Sequence, residues 1–432
     1  MGEQKTDCVL SIITLFILVS YPFVGSIGAS SEMWSKTYGG VGDEVAHSLV
    51  YTSDGGYALA GYTVSFGAGW EDFWLVKTDE FGNMEWNQTY GGIDADLAFS
   101  LVETSDGGYA IAGKTYSFGA EGSDFWLVKT DEFGNIEWSE RYGGPGEDSG
   151  HSLVETSDGG FAIAGLTYSY GAGASDFWLV ITDRYGNCEW NRTYGGEQYD
   201  GAQWLIVASD GGFMMAGYKD QKDNYVGANF WLIKTDAYGN MLWNRTYDNW
   251  VDSANSVVET SDGGYALAGS AGFWYPHACW FVKTDENGFM TWNTTYGDLY
   301  DQHYETAHSV VETWDGGFAL ACRADYFGDG NYDFWVIKTD EYGTVEWNQT
   351  FGGTGSEEAY SLVETSDGGY GLAGYTSSFG AGDNDFWLVK TNQTGVIPEF
   401  PSWAILLLLL IATLVLMLWK KTEQELQRVF NG

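Results

Sequence analysis

Six Asn-x-Thr triplets, at Asn87, Asn191, Asn244, Asn293, Asn348 and Asn392, form the one repeated pattern in this chain with covalent chemistry attached. In an exported protein Asn-x-Thr is the acceptor for an N-linked glycan. The first five follow a tryptophan directly, in a segment that reads as an outer strand, where a glycosyltransferase could reach the amide. The plainer reading is that alternating Asn and Thr keep an outer strand wettable. A second group is aromatic: Trp250, Trp274, Tyr275, His277, Tyr300, His303, Tyr304 and Tyr326 fall in irregular stretches among Asp and Asn. Such side chains suit stacking on sugars or anchoring a protein partner. Replacing Trp274 and Tyr275 with Ala is expected to abolish ligand retention and leave the fold intact; unchanged binding on a ligand array would count against it. Drift in unconstrained loops is the alternative.

Carboxylates come next. Asp43, Glu44, Asp94, Asp96, Glu147, Asp148, Asp298, Asp301, Glu357 and Glu358 all lie in loops of one kind, those that join the last strand of one repeat to the first strand of the next. Oxygen-rich loops can hold Ca²⁺, which takes six to eight oxygen ligands, but no EF-hand spacing is present and solvation is the simpler reading. The 60 acids against 19 Lys and Arg give a formal charge of −41, which argues against nucleic acid as a partner. No Ser/His/Asp order, zinc helix or phosphate loop appears, so no catalytic residue is assigned and the chain reads as noncatalytic. Acids are too abundant for paired carboxylates to identify a glycosidase.

These groups are positioned by a repeat. SDGGYALAG at Ser53 returns, with small changes, six more times, and the Asp-Gly-Gly triplets begin at Asp54, Asp106, Asp158, Asp210, Asp262, Asp315 and Asp367. A period near 50 residues signals a propeller, solenoid or array. Each unit reads as four short strands rich in Val, Tyr, Phe, Trp and Thr: A at Val45–Thr52, B at Gly56–Thr63, C at Phe73–Thr78 and D at Met84–Tyr90 in the first. The chain therefore predicts an all-β, seven-bladed β-propeller of four-stranded antiparallel blades over 34–391. The first segment, WSKTYGG at Trp34, matches strand D at Trp86, while the seventh unit ends after strand C at Phe386–Thr391. The N-terminal strand should complete the last blade and close the ring, hiding edges that an open array would expose.

Strand direction then puts the A–B and C–D turns on one face and the D–A and B–C loops on the other. The aromatic group gathers in the loops of blades 4 to 6 on that second face, and the acidic loops share it. Seven residues before each triplet stand His47, Phe99, His151, Gln203, Asn255, His308 and Tyr360, which would ring the channel if strand A is innermost. Its three histidines, from blades 1, 3 and 6, are too spread to ligate a metal together. Glu103, Glu155, Glu259, Glu312 and Glu364 form a more regular ring that reads as structural, as do Trp74 and its six counterparts.

The phrases WNQTYGG, SDGGYALAG and DFWLVKTDEFGN resemble a family of secreted prokaryotic, archaeal-type surface proteins with repeats of about 52 residues, which implies a propeller without implying a catalytic residue. Ile-Pro-Glu-Phe-Pro at Ile397–Pro401 is similar to archaeal PEF-type sorting signals, which implies processing by a membrane peptidase. The ends agree with export. Lys5 and the apolar run Val9–Val24, then small residues, read as a signal peptide over 1–30. A linker over 392–402 leads to an uncharged 17-residue segment, Trp403–Trp419, long enough at about 26 Å to cross a bilayer. Lys420 and Lys421 would hold the tail, 420–432, in the cytoplasm and the propeller outside. Cys188, Cys279 and Cys322 make no disulfide framework, though a Cys279–Cys322 bridge between neighbouring repeats is open. The expected function is ligand recognition or adhesion at the cell surface, with carbohydrate or a surface protein as partner, no cofactor unless calcium, and an anchor in the membrane. The alternatives are a structural envelope glycoprotein or a secreted polysaccharide hydrolase or lyase.

Overall fold

Apolar residues alternating between Gly-rich turns give four strands per repeat. The computed structural model describes residues 33–119, 121–220, 228–248, 251–272, 277–297, 304–325 and 331–395, the side chains of 251 and 252 excepted. The expected signal peptide, membrane segment and tail, the PEF-type motif and all of the linker beyond residue 395 lie outside the described residues.

In blade 1 strands A to D are Glu44–Tyr51, Tyr57–Thr63, Asp72–Thr78 and Met84–Tyr90, joined in that order in one antiparallel sheet. Six further four-stranded sheets follow, making seven blades. Trp34–Tyr38 supplies strand D of blade 7, pairing antiparallel with Asp385–Lys390 from Trp34↔Lys390 to Tyr38↔Phe386. The A strands of successive blades adjoin one another, blade 7 with blade 1 included, so A is innermost and the more exposed D outermost. Strands A and C begin one residue earlier than the sequence suggests, at Glu44 and Asp72, because both acids are buried rather than left in loops.

Strand C is buried along its whole length. Trp74 packs on Phe386 of blade 7, ring centroids 4.6 Å apart, and Phe73 packs on Trp126 of blade 2 at the same distance. The repeated tryptophans are thus inter-blade core, each fully buried aromatic contributing about 2–3 kcal/mol.

The motif residues clasp this frame. Asp54 accepts from Gly56 N and Thr52 Oγ1 and holds the buried Lys77 ammonium at 2.7 Å, while Gly55, at φ 87°, takes a conformation that glycine adopts without strain. The same Lys–Asp pair recurs in five other blades; in blade 3 the lysine is Ile181. The glutamate ring is structural, as expected. Glu103 accepts from Ser53 N and Oγ of the preceding blade, both at 2.8 Å, and Glu155, Glu259 and Glu312 repeat the grip. Between blades 7 and 1, where Tyr51 stands in place of the glutamate, its hydroxyl meets Ser366 Oγ at 2.8 Å. Cys279 and Cys322 are free thiols buried in one core cluster.

Candidate functional site

Each A strand carries one residue too many. Its register against strand B slips between Ala46 and Ser48, and at the corresponding place in all seven blades. The seven extra residues are His47, Phe99, His151, Gln203, Asn255, His308 and Tyr360. A β-bulge bends its strand and re-aims a side chain. Here the bulged residues, with Trp204, line an axial cavity of about 300 Å³. The ring was visible in the sequence as an offset from the triplet, but the bulge that turns it inward was not.

Along one arc the ring is aromatic. His308 lies against Tyr360 and Tyr360 against His47, both at 4.9 Å between centroids, and Phe99 bridges His47 and His151 at 5.2 and 5.4 Å. Gln203 and Asn255 complete the circle. The polar members tie each blade to the next: Asn255 Nδ2 donates to Ala307 O at 2.9 Å, and His151 Nδ1 donates to Ala202 O at 3.0 Å. That bond fixes the His151 tautomer, leaving Nε2 as an acceptor. Burial lowers His47 to about 4, against the opposing pull of Glu358, and lowers His151 to about 4 despite its carbonyl partner. Both imidazoles are neutral near pH 7. Among the described residues no three His, Cys, Asp or Glu side chains converge as metal ligands.

Trp204 stands where six blades have serine. Those serines latch blades together, as where Ser48 Oγ accepts from Leu101 N at 3.1 Å. Blade 4 gives up the latch for an indole at the channel wall, a departure legible in the sequence once the position is known.

One sector is charged. His308 Nε2 donates to Glu358 Oε1 at 2.9 Å, and Arg323 Nη1 lies 3.3 Å from the same oxygen. Burial alone would push the Glu358 carboxyl up, but the His308 bond and the charges of His308 and Arg323 hold it at about 2. The guanidinium is sandwiched between the Tyr304 and Tyr332 rings, 4.4 Å from each.

Of the eight aromatic-loop candidates the structure brings two together. His277 is buried, its ring 4.3 Å from that of Tyr304, which also stacks on Arg323. Trp250, Trp274, Tyr275, Tyr300, His303 and Tyr326 lie outside the described residues. The Asn-x-Thr asparagines of strand D are exposed, and each has a second role: Asn87 Oδ1 accepts from the Trp74 indole N–H at 3.1 Å, and Asn191, Asn244, Asn293 and Asn348 do the same for their own blades. Asn392 instead caps a turn, accepting from Thr394 N and Oγ1 at 3.0 Å. On the opposite face a groove of about 550 Å³ between blades 2 and 3 is lined by frame clasps, Asp106, Lys129 and Glu155 among them.

No family model and no curated protein matches this chain. Among solved structures it is similar to the periplasmic gluconolactonase PpgL of Pseudomonas aeruginosa, at 9% identity and TM-score 0.49, covering 77% of this chain and 92% of that one. It is also similar to the Pan2 WD40 domain of Neurospora crassa, at 11% and 0.47, covering 84% and 97%. A protein of unknown function from Bacteroides caccae follows at 11% and 0.41, covering 68% and 93%. The fold rests on the strand order rather than on these distant likenesses.

Proposed function

We propose that the protein is a noncatalytic recognition propeller that takes the end of a neutral carbohydrate into its axial channel from the D–A/B–C face. One observation carries this reading. In a frame repeated seven times, the bulged positions that line the cavity differ from blade to blade, five residue types standing at seven equivalent places. A frame position largely keeps one residue type, as the Lys–Asp pairs of six blades illustrate; a ligand of lower symmetry needs several. The channel offers neutral imidazoles and two amides for hydroxyl groups, and the rings of Phe99, Tyr360 and Trp204 for stacking. Its volume sits at the lower end of small-molecule sites. The aromatic loops of blades 4 to 6 would form the outer lip, where a longer chain or a carrier protein continues. Export, the glycans of strand D and an anchor at Trp403–Trp419 belong to the same reading and place the mouth at the cell surface.

A glycan and surface-protein array probed with the full-length chain tests it. The expected result is a saturable glycan hit weakened at least about tenfold by Gln203→Ala combined with Asn255→Ala, in protein that still melts cooperatively. A blank array from folded protein, or a hit indifferent to both changes, would overturn the channel reading. Protein hits lost only on Trp274→Ala and Tyr275→Ala would move the site to the lip.

A further inference from the structure

The acidic D–A/B–C face is only partly a set of solvated charges: Asp94 and Glu147 are exposed and Asp43 half-buried, Asp298 and Asp301 lie outside the described residues, and the rest are buried. Glu44, Asp96, Asp148 and Glu357 are fully buried, and each begins a strand A. Across the seam from each, the preceding blade begins strand C with a second buried acid: Asp385 faces Glu44, Asp72 faces Asp96, Asp124 faces Asp148 and Asp333 faces Glu357. The first glycine of the Tyr-Gly-Gly motif separates the two. A Cβ on Gly91 would collide with Asp72 Oδ1 and come within 2.8 Å of Asp96 Oδ2; on Gly39 it would collide with Asp385 Oδ1 and come within 2.6 Å of Glu44 Oε2. Two carboxylate oxygens therefore crowd one small volume, and only glycine leaves it open.

Two buried like charges at this spacing are costly unless something neutralises them. One seam has its own remedy: Arg141 approaches Asp124 at 3.9 Å. At the seam between blades 1 and 2 no ion pair to Asp72 or Asp96 occurs among the described residues. Asp96 is well held, accepting from Gly92 N at 2.8 Å and from the Thr115 hydroxyl. Asp72 accepts through Oδ2 from Ala68 N at 2.6 Å, but its Oδ1, on a side chain 1% exposed, accepts no hydrogen bond and points into the gap beside Asp96. A buried carboxylate oxygen that accepts no hydrogen bond and lies beside a second carboxylate is the arrangement a bound cation explains.

We infer that the inter-blade seams of this face that pair two buried acids with no cation of their own are divalent-cation sites, the clearest of them formed by Asp72 and Asp96, with Asp385 and Glu44 forming its counterpart where the ring closes. The donors are all oxygen, which selects a hard ion. Two carboxylates leave most of the coordination to carbonyls and water, which Ca²⁺, with its six to eight loosely arranged ligands, accepts more readily than Mg²⁺. The cation would bridge neighbouring blades and neutralise part of the chain's negative charge. It does not depend on the channel ligand.

The test uses the full-length chain, stripped with chelator and titrated with CaCl₂ by calorimetry and thermal unfolding. Saturable binding and a Tm raised by about 5 °C or more are expected, with a smaller response to MgCl₂. Asp72→Asn should remove one equivalent of bound Ca²⁺ and change sign with the metal: it raises Tm in chelator, where it relieves repulsion, and lowers Tm relative to wild type in Ca²⁺. Asp385→Asn repeats the measurement at the ring closure if the first variant fails to fold. A Tm unmoved by Ca²⁺, or an Asp→Asn effect identical in chelator and in Ca²⁺ with stoichiometry unchanged, overturns the inference and leaves a shared proton or a water at the seam.

Discussion

Deletion of Trp34–Tyr38 is expected to abolish cooperative unfolding of the propeller, the largest effect of any change proposed for this chain. The five residues form a ladder with Asp385–Lys390 and cover a strand whose Phe386 and Leu388 are wholly buried. They also bring Tyr38, whose hydroxyl donates to Gly82 O of blade 1 at 2.7 Å, and Trp34, whose ring sits edge-on to Tyr57 at 5.7 Å. Two large side chains at about 2 kcal/mol each, with ladder bonds at about 1 kcal/mol each, already approach the 5–15 kcal/mol by which a typical domain is stable. The deletion would in addition leave the apolar strand Asp385–Lys390 as an open edge, inviting association. Circular dichroism should show a broad, early transition and light scattering should rise. A synthetic peptide spanning Met33–Gly40, added during refolding, should restore part of the sharp transition. A deleted chain that melts like the full one would mean that the ring does not need its closing strand.

That interlock was legible because both halves of blade 7 carry recognisable text: WSKTYGG at one end and DFWLVKT at the other. The blade count followed from the period, and the face assignment from the alternating direction of the four strands in each unit. The site was harder to see. Position seven before each triplet is identifiable in the sequence, but a bulge leaves no compositional mark, since Ala46 and Ser48 look like ordinary neighbours of His47 in an alternating strand. The seam acids were hidden for another reason. Asp72 and Asp96 belong to different motifs, and only the packing of one blade on the next brings them together; taken singly, each reads as a loop acid at a strand's edge. The asparagines carry a second role of the same hidden kind: the indole bond that gives Asn87 a structural part joins two strands of one sheet and cannot be read from either alone.

Acid should loosen the channel in two separable windows, and the variants that remove each are the sharpest test of its polar ring. His47 and His151 have an ordinary value of 6.5 and sit at about 4 in the fold, chiefly because burial disfavours the charged imidazole. Between those values the unfolded chain binds the extra protons, so their contribution is complete above pH 6.5 and declines as pH falls toward 4. Glu358 has an ordinary value of 4.5 and sits at about 2, because the His308 bond and the His308 and Arg323 charges outweigh its burial. Its contribution is complete above pH 4.5 and is lost as pH falls toward 2. Subtracting the variant's Tm from that of wild type at each pH isolates these groups from the seam acids, where burial raises Asp72 and acid acts in the opposite sense. His47→Gln with His151→Gln should flatten the upper window only. Glu358→Gln should flatten the lower one and also cost about 3 kcal/mol at pH 7, since it strands Arg323 between Tyr304 and Tyr332 without its carboxylate. That loss should lower Tm by about 5 °C or more. If Glu358→Gln melts like wild type at pH 7, the carboxylate does not carry the network, and the charged sector of the channel is surface chemistry rather than part of a built site.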